Sequence, residues 1–163
     1  MIRRDRADKM YDVVLPDMNA HSVKQVMQML AHHASFITNK TECDVYQKLV
    51  EQEKIAPSAV GGGMLISHIR LSNIRTPFKI FARLSRPIEC DSLDGQPVDM
   101  ISLLISPEED GALHLRRLSE ISRMFRADDF RDLIRSADSL DAVKLILMSP
   151  EEYAASEKRD VAA

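Results

Sequence analysis

The chain has 163 residues, enough for one domain with a substantial core and too few for two ordinary domains joined by a linker. Its 22 basic and 25 acidic residues leave a formal net charge of −3, and they are mixed along the sequence. This pattern excludes a basic stripe for nucleic acid and an acidic solvating tail. Residues 1–150 are predicted to form the domain, and 151–163 a polar C-terminal tail.

The cysteines and the apolar runs indicate the compartment. Cys43 and Cys90 lie far apart, and neither has a cysteine or histidine at metal-ligand spacing. The sequence therefore predicts no disulfide framework and no zinc site, as expected in a reducing environment. No apolar run is long enough to span a bilayer, and no signal-peptide pattern follows Met1. These features predict a cytoplasmic protein without membrane insertion.

The first part of the chain predicts one edge strand followed by two helices. A short β-branched segment precedes Pro16, as in an edge strand. Ser22 and Gln25 have the spacing of a capping box, and apolar residues recur at helical intervals after them. Thr41 is a suitable N-cap for a second helix, which ends before Pro57. The predicted ranges are 11–15 for the strand, about 22–36 for the first helix and about 41–55 for the second.

Three consecutive glycines then lead into an apolar segment that ends on a histidine. Gly61–Gly63 can adopt positive φ, and their N–H groups could form an anion-binding nest. The following residues predict a buried strand that ends at His68. This is no Walker loop, because no Gly-Lys-Ser/Thr follows. On pattern alone His68 is either a positioned nucleophile or proton carrier, or a structural histidine, and the second is the more common case.

The remaining elements predict an α/β domain with helices on both faces of one sheet. Apolar residues alternate over 78–84, which predicts a half-exposed strand that ends before Pro87. After a turn at Asp94-Gly95, the apolar run 98–105 predicts a central strand covered on both faces. Three helices are predicted after it, over about 111–126, from an Asp128 cap through 134, and from a Ser139 cap through 148.

Other histidines and arginines offer fewer signals. His114 opens the first of these helices, where its side chain either points into the crevice at the end of the sheet or faces solvent; the spacing favours solvent. His32 and His33 are adjacent on a helix and diverge by about 100°, so they do not chelate one metal together. Arg70 follows His68 closely and is a candidate phosphate partner. Three other arginines are expected as solvated strand-edge charges: Arg75, Arg83 and Arg86.

Over about residues 11–148, the sequence resembles the type-2 IIA components of the bacterial phosphotransferase system, and their nitrogen-regulatory branch in particular. Members of that family carry Thr-Gly-Ile-Gly-x-Gly-Ile-Ala-Ile-Pro-His, and residues 58–68 read Ser-Ala-Val-Gly-Gly-Gly-Met-Leu-Ile-Ser-His in the same register. Four further segments match the nitrogen-regulatory branch: Phe81-Ala82-Arg83-Leu84, Pro87-Ile88, Asp94 to Asp99, and Gly111 to Leu115.

The resemblance implies a single-domain, three-layer α/β/α fold with a mixed β-sheet. It also implies that His68 is a phosphoryl acceptor in a shallow crevice, with His114 as a supporting histidine, and that no cofactor or metal is needed. The implied partners are an HPr-type phosphocarrier protein and regulated target proteins such as kinases or transporters. The candidate phosphate-binding residues are Gln52, Gly61, Gly62, Gly63, Ser67 and Arg70.

Three of the chain's departures from the family pattern bear on the candidate site. Gln52 stands where the family has an arginine, so a permanently charged phosphate partner is missing. Ser67 replaces a proline, and Ala59 replaces the first glycine of the motif. Two alternatives therefore stay open beside a phosphohistidine carrier: a binding module of the same fold that has lost efficient phosphoryl transfer, and a sugar-specific IIA component.

Overall fold

The computed structural model describes residues 10–148, in which five strands form one mixed sheet with helices on both faces. The elements in chain order are β1 (Val13–Met18), α1 (Val23–Thr38), α2 (Glu42–Ile55), β2 (Ala59–Gly61), β3 (Met64–Leu71), β4 (Phe78–Ile88), β5 (Val98–Pro107), a 3₁₀ turn (Glu108–Asp110), α3 (Ala112–Arg126), α4 (Asp128–Ser136) and α5 (Leu140–Met148). The strand order is β1-β4-β5-β3-β2. The pairs β1–β4 and β3–β5 are parallel, whereas β4–β5 and β2–β3 are antiparallel. The predicted α/β class with a mixed sheet is confirmed.

Two apolar cores, one on each face of the sheet, make this a three-layer fold. Ile101 and Leu103 of β5 pack in one core with buried residues of α1 and α2, whereas Met100 and Leu104 pack in the other with residues of α3, α4 and α5. Successive side chains of a strand point to opposite faces, so a strand covered on both sides is apolar throughout. The predicted central position of β5 is confirmed.

The same alternation decides what β3 presents to each helical layer. Leu65 and Ile69 belong to the core under α1 and α2, and Met64 and Ile66 to the core under α3, α4 and α5. The even-numbered residue His68 therefore faces the layer that contains α3.

Three of the four predicted helix caps are present. Ser22, Thr41 and Ser139 each accept a hydrogen bond from the backbone N–H three residues later. The predicted Asp128 cap is wrong, because Asp128 is the first residue of α4 and its carboxylate pairs with Arg131. A carboxylate in the first helical turn still favours the helix through the macrodipole.

Neither predicted proline stop ends its strand. β1 continues past Pro16 to Met18 after an irregularity in its pairing, and β4 continues past Pro87 to Ile88 after a similar irregularity. Proline is tolerated at edges and bulges, where no ladder hydrogen bond is lost. β1 is the edge strand that its sequence predicts.

The expected exposure of β4 and Arg83 is also wrong. Phe81 of β4 is fully buried and stacks on Phe125 of α3, with ring centroids 5.8 Å apart, so the second face of the strand is covered there. Arg83 is half-buried, and its Nη1 donates to the carbonyls of Ile134 at 2.8 Å and Ala137 at 2.6 Å. This arginine binds carbonyls at the end of α4, where a cation is favoured by the helix dipole.

The predicted tail, residues 151–163, lies outside the described residues, and so does its boundary at 150. None of the helices between residues 10 and 148 is long and apolar enough to cross a lipid bilayer.

Candidate functional site

Two histidine rings meet on the α3 face of the sheet. His68 lies in β3, is half-buried, and its Nδ1 is 2.9 Å from Nε2 of His114 on α3. The ring centroids are 5.0 Å apart. His114 is only 1% exposed, so the solvent-facing alternative is wrong. β3 also continues to Leu71, so His68 stands within the strand rather than at its end.

A sharp reversal after β5 brings His114 over β3. The 3₁₀ turn follows β5 directly, and Gly111 then adopts φ +50°, a backbone region that favours glycine. α3 begins at the next residue, and its Ile121 and Phe125 pack on the sheet. Because β5 pairs in parallel with β3, and His68 is in register with Leu104, a helix that starts at the end of β5 lies beside His68.

Burial and neighbouring cations keep both rings neutral. Burial lowers the pKa of His68, and the charge of Arg70 lowers it further. Burial, followed by His68, Arg70 and Arg117, lowers the pKa of His114 to about 4. Two neutral rings in contact share a single proton in their hydrogen bond, so one ring donates and the other accepts. When Nδ1 of His68 donates to His114, Nε2 of His68 retains a free lone pair and can act as a nucleophile.

Arg70 shares the face of His68. It is two residues further along the same strand, which puts the two Cα atoms about 7 Å apart, and its side chain is exposed. Its effect on the pKa of both histidines agrees with a position beside the pair. Arg70 is the one member of the predicted phosphate-binding set whose side chain lies on this face of β3.

The structure does not bring the glycine loop together with His68. Gly63 precedes His68 by five residues of extended strand, a separation of about 16 Å. Gly61 ends β2, Gly62 and Gly63 form the turn to β3, and all three have positive φ. The Gly62 N–H donates to Asp94 at 2.8 Å, and the Gly62 carbonyl accepts from Arg135 at 2.7 Å. These backbone groups bind other parts of the protein, at the far end of β3 from the histidine pair.

Nor are the side chains of Ser67 and Gln52 brought to the pair. Ser67 is 1% exposed and faces the layer of α1 and α2, and its Oγ has no hydrogen-bond partner within residues 10–148. Gln52 is half-buried on α2, in that same layer. No hydrogen bond in the described part of the chain joins either side chain to His68 or His114.

Sequence reasoning missed Arg117 and Asp110, which form an ion pair beside His114. Arg117 follows His114 by three residues, a spacing that puts two side chains on the same face of a helix. That spacing was the available signal. The carboxylate comes from the 3₁₀ turn, whose conformation the sequence did not predict.

The other histidine pair has no comparable geometry. The rings of His32 and His33 are edge-to-face with centroids 5.6 Å apart, and Nδ1 of His32 is 3.1 Å from a carboxylate oxygen of Glu42. Between residues 10 and 148, no three His, Cys, Asp or Glu side chains are grouped so that they could hold a metal ion.

Comparisons with known proteins agree with the fold and the motif. Residues 10–149 match the family model described as phosphoenolpyruvate-dependent sugar phosphotransferase system, EIIA 2. The chain is 39% identical over 144 residues to a nitrogen regulatory protein of Bradyrhizobium diazoefficiens, covering 88% of this chain and 94% of the relative. It is 32% identical over 128 residues to a nitrogen regulatory protein of Pseudomonas aeruginosa, covering 78% and 83%.

A solved structure supports the same assignment. The crystal structure of the nitrogen regulatory protein IIA-Ntr from Neisseria meningitidis superposes with a TM-score of 0.78 at 28% identity, covering 85% of this chain and 94% of that one. Because the family model matches all the described residues, the chain belongs to the type-2 EIIA family of the phosphotransferase system, in its nitrogen-regulatory branch.

Proposed function

We propose that this protein carries a phosphoryl group on Nε2 of His68, receives it from an HPr-type phosphocarrier in the cytoplasm, and regulates partner proteins according to its phosphorylation state. One observation carries the proposal: Nδ1 of His68 is engaged by Nε2 of His114 at 2.9 Å, which leaves Nε2 of His68 as the available nitrogen. Family membership supports phosphoryl transfer as the chemistry, and the nitrogen-regulatory relatives support a regulatory role.

The transfer step needs positioning more than proton movement. The lone pair on Nε2 of His68 forms a bond to phosphorus, the bond between phosphorus and the carrier's donor atom breaks in line, and its electron pair stays on the carrier. The proton on Nδ1 of His68 remains in the hydrogen bond to His114, so the phosphorylated ring is cationic and partly offsets the charge of the phosphoryl group. The lowered pKa of His68 supports this step, because the ring is already deprotonated at one nitrogen at neutral pH.

The surroundings of the pair suit a protein donor. Leu113 and Leu115, on either side of His114, are 49% and 59% exposed. Exposed large apolar side chains beside a reactive group are typical of a docking surface for another protein. The mannitol IIA enzyme of Escherichia coli has a similar fold, with a TM-score of 0.68 and 10% identity to this chain. Its structure has been solved in complex with phosphorylated mannitol IIB.

Incubation with a phosphorylated HPr-type carrier tests the proposal. The expected result is an acid-labile mass increase of one phosphoryl group on the wild type, none on His68→Ala, and wild-type labelling of His21→Ala, an exposed histidine that serves as the matched control. Labelling that persists in His68→Ala would refute the acceptor assignment.

Two further outcomes identify the alternatives. If the wild type is not labelled and His68→Ala still binds the target proteins that the wild type binds, the protein is a binding module of the same fold. The neutral Gln52 is in keeping with that outcome. Onward transfer to a IIB cysteine would indicate a sugar-specific component. Either result contradicts the regulatory carrier.

A further inference from the structure

Arg117 lies on the same face of α3 as His114 and outside the segments that carry the family resemblance. It lies one helical turn after His114 on α3, and its side chain is 21% exposed. Its Nη1 pairs with Oδ2 of Asp110 and lies 3.4 Å from Oγ of Ser106 on β5. Ser106 is buried and directly in register with Arg70 of β3.

This register puts a second guanidinium next to Arg70. Adjacent strands lie about 4.8 Å apart, and paired residues point to the same face, so a group resting on Ser106 stands beside the Arg70 side chain. Both arginines lower the pKa of His114, which agrees with a position of both charges close to that ring, and Arg70 also lowers the pKa of His68. His68 is two residues before Arg70 on that strand, so Arg70 and the Ser106 hydroxyl that Arg117 contacts are both displaced from His68 in the same direction along the strands.

Arg117 also has hydrogen-bonding capacity to spare. Within residues 10–148 the partners of its side chain all contact Nη1, so Nε and Nη2 make no hydrogen bond to that part of the chain. A phosphoryl group brings two negative charges and three acceptor oxygens, and a guanidinium binds such oxygens through its fork of donors. The neutral Gln52 cannot supply that charge. Asp110 serves as the counter-ion of Arg117 while the acceptor is unmodified.

We propose that Arg117 stabilises the phosphoryl group on His68, and that Asp110 holds and partly neutralises Arg117 in the unphosphorylated protein. This inference rests on the proposed function. It predicts that the two partners of one ion pair have opposite effects on the rate at which His68 is phosphorylated. Loss of Arg117 removes positive charge from the site, whereas loss of the Asp110 charge makes that positive charge more available. If the ion pair only held the 3₁₀ turn against α3, loss of either partner would change the phosphorylation rate in the same direction.

The test compares phosphorylation rates and phosphohistidine lifetimes across four variants. Arg117→Ala is expected to be labelled by the phosphorylated HPr-type carrier at least about tenfold more slowly than the wild type, and to lose the group faster by hydrolysis. Asp110→Asn is expected to be labelled as fast as the wild type or faster. Arg117→Lys should be labelled at a rate between those of Arg117→Ala and the wild type, because lysine keeps the positive charge but lacks the planar set of guanidinium donors. Arg116→Ala is the matched control, since that exposed neighbour pairs with Glu120 and should be labelled normally.

Urea unfolding of every variant separates chemistry from folding. The inference is overturned if Arg117→Ala is labelled at the wild-type rate, or if Arg117→Ala and Asp110→Asn slow labelling equally. If Arg117→Ala does not fold, the order of Arg117→Lys, wild type and Asp110→Asn in labelling rate decides the question. An unlabelled wild type refutes the proposed function itself, which is a different result from normal labelling of the Arg117 variants.

Discussion

Acid is expected to destabilise the fold through His114, because this ring is buried and neutral in the folded protein but accessible to water in the unfolded chain. Its pKa falls from 6.5 to about 4 on folding, chiefly through burial. Between these two pH values the unfolded chain binds a proton that the folded protein does not. The free energy of unfolding therefore rises with pH in this window, and the contribution is complete above pH 6.5 and lost as pH falls toward 4.

The size of the effect follows from the two pKa values. The full shift corresponds to about 3 kcal/mol, and the portion lost between pH 7.5 and pH 5 is about 2 kcal/mol. Carboxylates elsewhere also titrate on acidification, so the change in total stability does not isolate His114. Replacing His114 with glutamine removes the titrating group and keeps a polar side chain of similar size.

The assay is urea unfolding of the wild type and His114→Gln at both pH values, followed by circular dichroism because the chain has no tryptophan. The stability difference between wild type and variant should shift by about 2 kcal/mol in favour of the variant at the lower pH. His21→Gln, which removes an exposed imidazole, controls for loss of a histidine as such. A shift below about 0.5 kcal/mol would refute the reasoning that burial of this ring excludes the proton.

Two further substitutions test the geometry of β3 and its turn. Ser67→Ala removes a buried hydroxyl that has no hydrogen-bond partner within residues 10–148, and is expected to raise the free energy of unfolding by about 1 kcal/mol and leave labelling of His68 unchanged. Slower labelling would contradict the placement of Ser67 on the opposite face. Gly62→Ala puts a Cβ 2.7 Å from the guanidinium carbon of Arg131, and this guanidinium is held by the Phe125 carbonyl at 2.6 Å and by Asp128. Gly95→Ala, at a similar positive φ, meets nothing within 4 Å. In urea unfolding, Gly62→Ala should cost about 1–3 kcal/mol more than Gly95→Ala, and equal costs would show that the guanidinium moves aside freely.

Local patterns in the sequence were sufficient for most of the framework. The uniform apolar run in β5 required cover on both faces, and the three cap residues Ser22, Thr41 and Ser139 marked helix starts, because these signals depend on neighbours within a few residues. The proline stops at Pro16 and Pro87 were wrong because a proline's effect depends on whether its N–H would face a partner strand, and pairing is not a local property.

The motif identified the family but did not show how its parts are arranged. Gly61–Gly63 and His68 belong to one run of sequence, yet β3 is extended and separates them by about 16 Å. Ser67 and His68 are neighbours that face different helical layers, since side chains alternate along a strand and packing against α1, α2 and α3 sets which face each takes.

By itself, the sequence determined the α/β class, the family and the two candidate site histidines, His68 and His114. Only the tertiary structure decided that His114 is buried with its Nε2 at Nδ1 of His68, and that Arg117 and Asp110 lie beside His114. The physical reason is that periodicity and capping are read within one element, whereas the histidine pair needs β5 parallel to β3 and a helix that turns back over both strands. Which nitrogen of His68 is available, and which cations lie near it, are consequences of that register.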